Sequence, residues 1–246
     1  MSNPVTILVV NVNTTEEMTR SIAALAQQAA SPDTTVVGLT PTFGAESCEG
    51  NLESYLAALG VVDAVQRYEG SYDAVVQAGF GEHGREALQE VLDVPVVDIT
   101  EAAAHLAMML GHRFSVVTTL DRTVPLIHDR LLVAGLTTQC ASIRASGVGV
   151  LDLEGDSPRV TEAIVQEAKR AVLEDHAEVI CLGCGGMAGL DTAVREAVGV
   201  PVVDGVTAAV RIAEGLVGLG LTTSKVRTYA PPRPKKIVGW PLPPLT

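Results

Sequence analysis

The chain is poor in aromatic residues, which make up 3% of its 246 positions and include only three phenylalanines. Positive charge is scarce too: 17 lysines and arginines stand against 29 aspartates and glutamates, a formal net charge of −12 with pI ≈ 4.8. A field of that sign repels polyanions, so neither nucleic acid nor an acidic membrane surface is an expected partner, and the expected ligand is small. No apolar run reaches the roughly 20 residues that cross a bilayer. Met1-Ser2-Asn3-Pro4 leads straight into strand-like sequence without a basic leader, so neither export nor anchoring is expected. The four cysteines, Cys48, Cys140, Cys181 and Cys184, are too sparse for a disulfide scaffold and fit a reducing cytoplasm. The five histidines show no H-E-x-x-H spacing, and the C-x-x-C of Cys181 and Cys184 lacks a second pair, so no metal site is expected.

What the chain has in quantity is apolar sequence cut into short pieces. At 47% hydrophobic and 19% charged it can bury a substantial core, as one domain or as two lobes of roughly 100 to 120 residues each. Val5 to Val10 is a continuous β-rich run of the kind covered on both faces in a parallel sheet. It ends at Asn11-Val12-Asn13, after which Thr14 or Thr15 can cap a helix with Glu16 and Glu17 in its first turn and Met18, Ile22, Leu25 and Ala26 on its apolar face. Asn13 thus stands at a strand's C-terminal end, where open α/β sheets bind ligands, although a turn asparagine would look the same. Further strands are expected near 36–39, 73–78, 94–98, 113–119, 138–143, 178–182 and 202. Helical stretches are expected over 51–66, 82–92, 100–110, 121–133, 161–174 and 207–216, with one more running to Val198. The loop from Thr40 to Cys48 is longer than a plain connection, and Phe43 within it either covers a ligand or packs beneath the loop. Strand and helix alternating in this way predict an α/β fold of parallel sheets with right-handed crossovers.

An internal repeat sharpens that expectation. The segment from Asp73 to Gly81 lies over the segment from Glu178 to Gly186, and each is followed by helical sequence and then Val-Pro-Val-Val-Asp, at Val94 to Asp98 and Val200 to Asp204. Gly79 then occupies the position that Cys184 holds in the other half. Leu182-Gly183-Cys184-Gly185-Gly186 reads as strand, turn and helix start, with bare N–H groups at Gly185 and Gly186 beside a thiol whose anion the following helix would favour. A buried structural cysteine is the plainer alternative for such a residue taken alone. Thr118 and Thr119 end the matching strand of the second half and can bind a polar group or cap the next helix. Gly79-Phe80-Gly81-Glu82-His83-Gly84 fits G-x-G-x-x-G, but it follows the third strand and not the first, and the repeat accounts for the turn without a cofactor, so a dinucleotide is not expected. His83 follows the same turn and could approach the pocket, although a solvated first-turn histidine is the commoner case.

Together, Val10-Asn11-Val12-Asn13-Thr14, Phe43-Gly44, the Ala78 to Gly81 turn, Thr118-Thr119 and Leu182-Gly183-Cys184-Gly185-Gly186-Met187 resemble the hydantoin racemases of the aspartate/glutamate racemase superfamily, over nearly the whole chain. The resemblance implies two similar parallel-sheet lobes related by a pseudo-twofold, no cofactor, no metal, and a pocket in the cleft between the lobes. The lobes would be 1–96 plus 206–246, the latter a returning helix and tail, and 97–205. It implies two acid/base cysteines facing each other across the substrate, one carried onto Cys184 and the other onto position 79, where this chain has Gly79. Asn13, Phe43, Phe80, Gly81, Thr118, Thr119, Gly185 and Gly186 are the substrate-binding candidates.

The activity so implied is cofactor-independent racemisation of 5-monosubstituted hydantoins by proton transfer at C5; the cysteine usage points to the cytoplasm, and the apolar character and tail to a homo-oligomer. The activity would be impaired here, because glycine can neither take nor return a proton. A C5–H acidified by its neighbouring carbonyl suits a thiol base if preorganised donors meet the enolate oxygen. With Cys184 alone, exchange would be confined to one enantiomer, and water could fill the space left by the missing side chain. Two alternatives stay open: a single-cysteine enzyme resembling arylmalonate decarboxylases, and a non-catalytic binder of small molecules.

Overall fold

Two four-stranded parallel sheets, each continued from strand to strand through helices, make up the computed structural model, which describes residues 4–153, 155, 157–236 and 238. The first contains β1 (Val5–Val10), β2 (Thr34–Leu39), β3 (Ala74–Gln77) and β4 (Val96–Asp98) in the order β2-β1-β3-β4. The second contains β5 (Phe114–Thr118), β6 (Cys140–Ala145), β7 (Val179–Leu182) and β8 (Val202–Asp204) in the order β6-β5-β7-β8. The repeat in the sequence is therefore a repeat of topology: the second strand steps outward, and the third and fourth pair on the other side of the first. The expectations placed on Met1-Ser2-Asn3 and on the tail from 239 onward lie outside the described residues.

The strands are apolar throughout because both faces of each sheet are covered. In β1, Ile7 and Val9 pack with Met18 and Ile22 of α1 (Glu16–Ala29) on one side. Leu8 and Val10 pack with Ala57 and Val61 of α2 (Asn51–Gln66) on the other, the two-residue period of a strand. In the second sheet, Val116 and Cys181 face Ile127 and Leu131 of α5 (Val124–Val133), while Val117, Ile180 and Leu182 face α6 (Pro158–Glu174) and α7 (Asp191–Val198). Cys181 is thus a core side chain. Phe114, with no exposed surface, is among the largest buried groups, and burying such a side chain contributes roughly 1.5–3 kcal/mol.

The lobes meet through α4 (Ile99–Met108) and α8 (Gly205–Gly218). Each follows the last strand of one sheet and packs against the other: α4 touches β5, β7 and β8, and α8 touches β1, β3 and β4. Their shared face is built of small residues, Ala103 and Ala107 against Ala209 and Ala213, all buried without exposed surface. A Cβ on Gly205 would stand 2.6 Å from the Ile99 carbonyl oxygen, so the backbones approach as closely as glycine allows. The repeated Val-Pro-Val-Val-Asp motif supplies both helix starts: Asp98 accepts from the N–H groups of Thr100 and Glu101, and Asp204 from that of Thr207. β4 carries the first sheet two residues beyond position 96, and α8 returns to that sheet.

Several helix starts depart from the sequence expectation: α6 begins at Pro158 and α8 at Gly205, earlier than expected, and three begin later. The helix expected at Glu82 begins at Arg85 as α3 (Arg85–Val91), because Gly84 is left-handed at φ 95° and a right-handed helix cannot run through it. Beyond Cys184 there is only a 3-10 turn, Gly185–Met187, before Gly189 at φ 90°, and α7 starts at Asp191. At Asp121 a 3-10 turn, Asp121–Thr123, precedes α5, since Pro125 has no N–H to close an α-helical bond back to Asp121.

Candidate active site

The C-terminal ends of the four central strands, β1, β3, β5 and β7, converge on one cavity of about 40 Å³. Its closeness depends on glycine. A Cβ on Gly185 would lie 2.7 Å from the Ala78 carbonyl oxygen, so the turn after β7 rests directly on the turn after β3, and Gly79 and Cys184 line the same space from opposite lobes. Of the expected contacts, Asn13, Phe80, Thr118, Thr119, Gly185 and Gly186 also line it. Two do not. The Gly81 N–H is engaged by Thr100 Oγ1 at 2.8 Å, and Phe43 is half-buried in its loop, its carbonyl oxygen against Gly60 of α2.

The polar lining divides into braces and free donors. Asn11 is fully engaged: its Nδ2 donates to Asn13 Oδ1 at 2.8 Å and to Thr19 Oγ1 at 3.1 Å, and its Oδ1 accepts from the Val12 N–H at 2.7 Å. Asn13 Oδ1 also accepts from the Thr15 N–H, while among the described residues its Nδ2 has only the Met18 sulfur, at 3.2 Å, a weak acceptor that a ligand oxygen would outcompete. The Thr118 hydroxyl bonds the Gly183 carbonyl and the Thr123 hydroxyl, both at 3.1 Å, and so braces β5 to the Cys184 turn. Thr119 uses its carbonyl oxygen, which accepts from the Gly147 N–H at 2.8 Å.

Cys184 is half-buried at the start of its turn. Burial pushes its thiol up to about 11, against the pull of the Gly186 and Met187 N–H groups directed at the sulfur. The sequence suggested the reverse, a thiol lowered by a helix N-terminus. The 3-10 turn offers two N–H groups but no helix dipole, and desolvation wins.

Two residues that the sequence reading did not select complete the cavity. His83, for which solvent is the commoner expectation and the pocket the other, is 4% exposed and lines the site. A Cβ at Gly79 would fall 2.4 Å from His83 Cδ2, 2.5 Å from Val12 Cγ1 and 2.7 Å from Gln77 Nε2, so side chains, rather than space for water, occupy the room beside Gly79. Burial lowers the imidazole to about 4, opposed by the Phe80 carbonyl and by Asp98. Cys48, from the long loop after β2, is the second: its Sγ is 3.6 Å from His83 Nδ1 and 3.6 Å from Ser54 Oγ, and burial pushes its thiol up to about 11. The loop's length was the available signal. Behind His83, Arg130 of α5 reaches across the lobes to Asp98 at 3.1 Å, Glu101 at 2.6 Å, Glu86 at 2.5 Å and Glu82 at 3.1 Å, with Arg85 beside it. Among the described residues, no group of three His, Cys, Asp or Glu side chains could hold a metal ion, and no helix is long and apolar enough to cross a membrane.

Paired parallel sheets of one topology, with the ends of their central strands facing across a cavity, define the fold shared with arylmalonate decarboxylase. A crystal structure of that enzyme is 21% identical with a TM-score of 0.59, covering 91% of this chain and 96% of that one. The family of Asp/Glu/hydantoin racemases matches residues 7–213, and the chain belongs to it. It is 44% identical over 234 residues to a hydantoin racemase of Pseudomonas sp. (strain NS671), covering 95% of this chain and 94% of the relative. The crystal structure of an allantoin racemase from Pseudomonas fluorescens is 68% identical, with a TM-score of 0.93 over 95% of this chain and all of that one.

Proposed function

We propose that this protein racemises 5-monosubstituted hydantoins by proton transfer at C5, and that allantoin, whose 5-substituent is a polar ureido group, is the preferred member of the class. The observation that carries this reading is the position of Cys184, a thiol at the meeting point of four strand ends in a small cavity lined by asparagine, threonine and backbone groups. The 68% identity to an allantoin racemase supports the choice of substituent, as does the Asn13 side chain in the cavity lining.

In this mechanism the Cys184 thiolate takes the C5 proton. Negative charge moves onto the adjacent carbonyl oxygen, which Asn13 Nδ2 is placed to receive. The Gly186 and Met187 N–H groups hold the sulfur and stabilise its anion, offsetting part of the cost of burial. Gly79 offers no second acid, so the two-thiol arrangement of positions 79 and 184 is incomplete in this chain. The test is C5 proton exchange of each allantoin enantiomer in heavy water, read by proton NMR. Cys184→Ala should abolish exchange of the enantiomer whose C5–H faces position 184, with binding by calorimetry retained. Exchange of both enantiomers undiminished by this substitution would refute the assignment.

One thiol beside Gly79 would also suffice for one-sided protonation of an enolate left by loss of carbon dioxide, the chemistry of an arylmalonate decarboxylase. Carbon dioxide release from an arylmalonate, with no exchange of hydantoins, would favour that second reading.

A further inference from the structure

The turn after β3 lacks a thiol, yet the cavity does not lack a second one. Cys48 lines it together with Cys184, and the two arrive from different lobes: Cys48 on the loop that follows β2 in the first, Cys184 on the turn that follows β7 in the second. Between Cys48 and the vacant position 79 stands the His83 ring, whose Cδ2 is 2.4 Å from where a Gly79 Cβ would be and whose Nδ1 is 3.6 Å from Cys48 Sγ. Nε2 lies on the side of the 80–81 turn, 3.3 Å from the Cβ position of Gly81, and the Phe80 carbonyl accepts from the ring. With the proton of the neutral imidazole on Nε2, Nδ1 is the acceptor for the Cys48 S–H.

We propose that Cys48, oriented by His83, is the acid/base group that faces Cys184 across the substrate and takes the part of the missing thiol at position 79. The inference rests on the proposed C5 proton transfer and adds its second group. In one direction the Cys184 thiolate takes the C5 proton and the Cys48 S–H delivers its own to the opposite face of the enolate. The substrate is inverted, and the protein is left with a Cys184 thiol and a Cys48 thiolate, which solvent resets by exchanging one proton at each. In the other direction Nδ1 of His83 first takes the Cys48 proton; the thiolate removes the C5–H, the Cys184 S–H protonates the other face, and the imidazolium returns its proton to solvent.

The groups around Cys48 fit an acid that is protonated at rest. Ser54 donates to or accepts from the sulfur, while Glu53, Glu49 and a Cys184 thiolate all disfavour a negative charge on it. Burial keeps His83 neutral, so a thiol hydrogen-bonded to a neutral imidazole is the resting state, in place of a thiolate-imidazolium ion pair. His83 acts through Cys48 and is a positioning residue in the first direction.

The experiment follows each enantiomer of allantoin separately with the full chain in heavy water, by proton NMR for exchange at C5 and by chiral chromatography for inversion. The unsubstituted chain should invert both enantiomers. Cys48→Ala should lower inversion by a factor of about 100 or more, the usual worth of a positioned acid, and leave exchange with retention for the one enantiomer that Cys184 reaches. Cys184→Ala should give the mirror image. Cys48→Ser, which keeps a hydroxyl between Ser54 and His83 but no acid of thiol strength, should fail as Cys48→Ala does, and it reports even if the alanine variant does not fold. Inversion at the unsubstituted rate in either folded Cys48 variant overturns the proposal, as does one-sided exchange by the unsubstituted chain; in both cases a Cys184-dependent signal keeps the site assignment. Absence of exchange everywhere, or exchange that survives Cys184→Ala for both enantiomers, overturns the site assignment and this proposal with it.

Discussion

Gly79→Cys is the substitution that tests how the cavity is built. The backbone at Gly79 is not in the left-handed region, so a cysteine there meets no conformational penalty, and the cost lies in its neighbours. Three atoms fall below 3.0 Å from the new Cβ, and they differ in how easily they yield. Gln77 Nε2 is the end of a flexible chain, Val12 is β-branched and stiff at χ1, and the His83 ring can move only by leaving Cys48. Overpacking of this kind costs roughly 1–3 kcal/mol. At about 2–4 °C per kcal/mol for a chain of this size, Tm should fall by roughly 2–12 °C. The kinetic effect has the opposite sign. A thiol at position 79 would enter the cavity that Cys184 lines, so inversion of allantoin should rise, and it should cease to depend on Cys48. Combining Gly79→Cys with Cys48→Ala should restore the inversion that Cys48→Ala removes. Differential scanning calorimetry and the decay of circular dichroism of one pure enantiomer read the two effects. An unchanged Tm would show that the space beside Gly79 is not filled as described, and a double variant no faster than Cys48→Ala alone would show that position 79 does not reach the substrate.

Two more predictions concern what lies behind the cavity. Arg130→Met removes the nearer of the two guanidinium groups on buried Asp98, leaving Arg85 at 3.4 Å, and should cost up to roughly 3 kcal/mol, a Tm lower by up to about 12 °C, partly recovered by adding Asp98→Asn; calorimetry on the single and double variants checks this. His83 is held neutral by burial, from an ordinary 6.5 down to about 4, so the unfolded chain binds the extra proton between those values. Its contribution is complete above pH 6.5 and lost as pH falls toward 4, by roughly 2 kcal/mol between pH 7.5 and 5. His83→Gln, which cannot titrate, should therefore flatten the acid side of the urea-midpoint profile, and two parallel profiles would refute the claim.

Much of this was legible in the chain. Continuous apolar runs such as Val5–Val10 announce strands covered on both faces, and the repeat of a strand, a turn and Val-Pro-Val-Val-Asp announces two halves with matching strand ends. Local chemistry marked Cys184, Asn13 and the glycines. What could not be read depended on contacts between distant segments. Cys48 and His83 meet across 35 positions, Arg130 and Glu82 across 48, and nothing periodic in the sequence joins them. The rise in the Cys184 thiol was misread for a related reason: a turn that looks like a helix start closes as a single 3-10 turn, and how far it is desolvated depends on the opposite lobe.

The exchange of α4 and α8 between the halves bears on how the chain is made. The first sheet has all its strands once residue 98 has been synthesised, yet the helix that covers β1, β3 and β4 spans residues 205–218. For more than a hundred residues of translation an apolar sheet face waits for α8, shielded in the interval by α1 and at β4 by α4. With each half covered by a helix that follows the other, the lobes are expected to melt together in one calorimetric transition rather than two. A cavity whose walls come from both is then present only when the whole chain has folded.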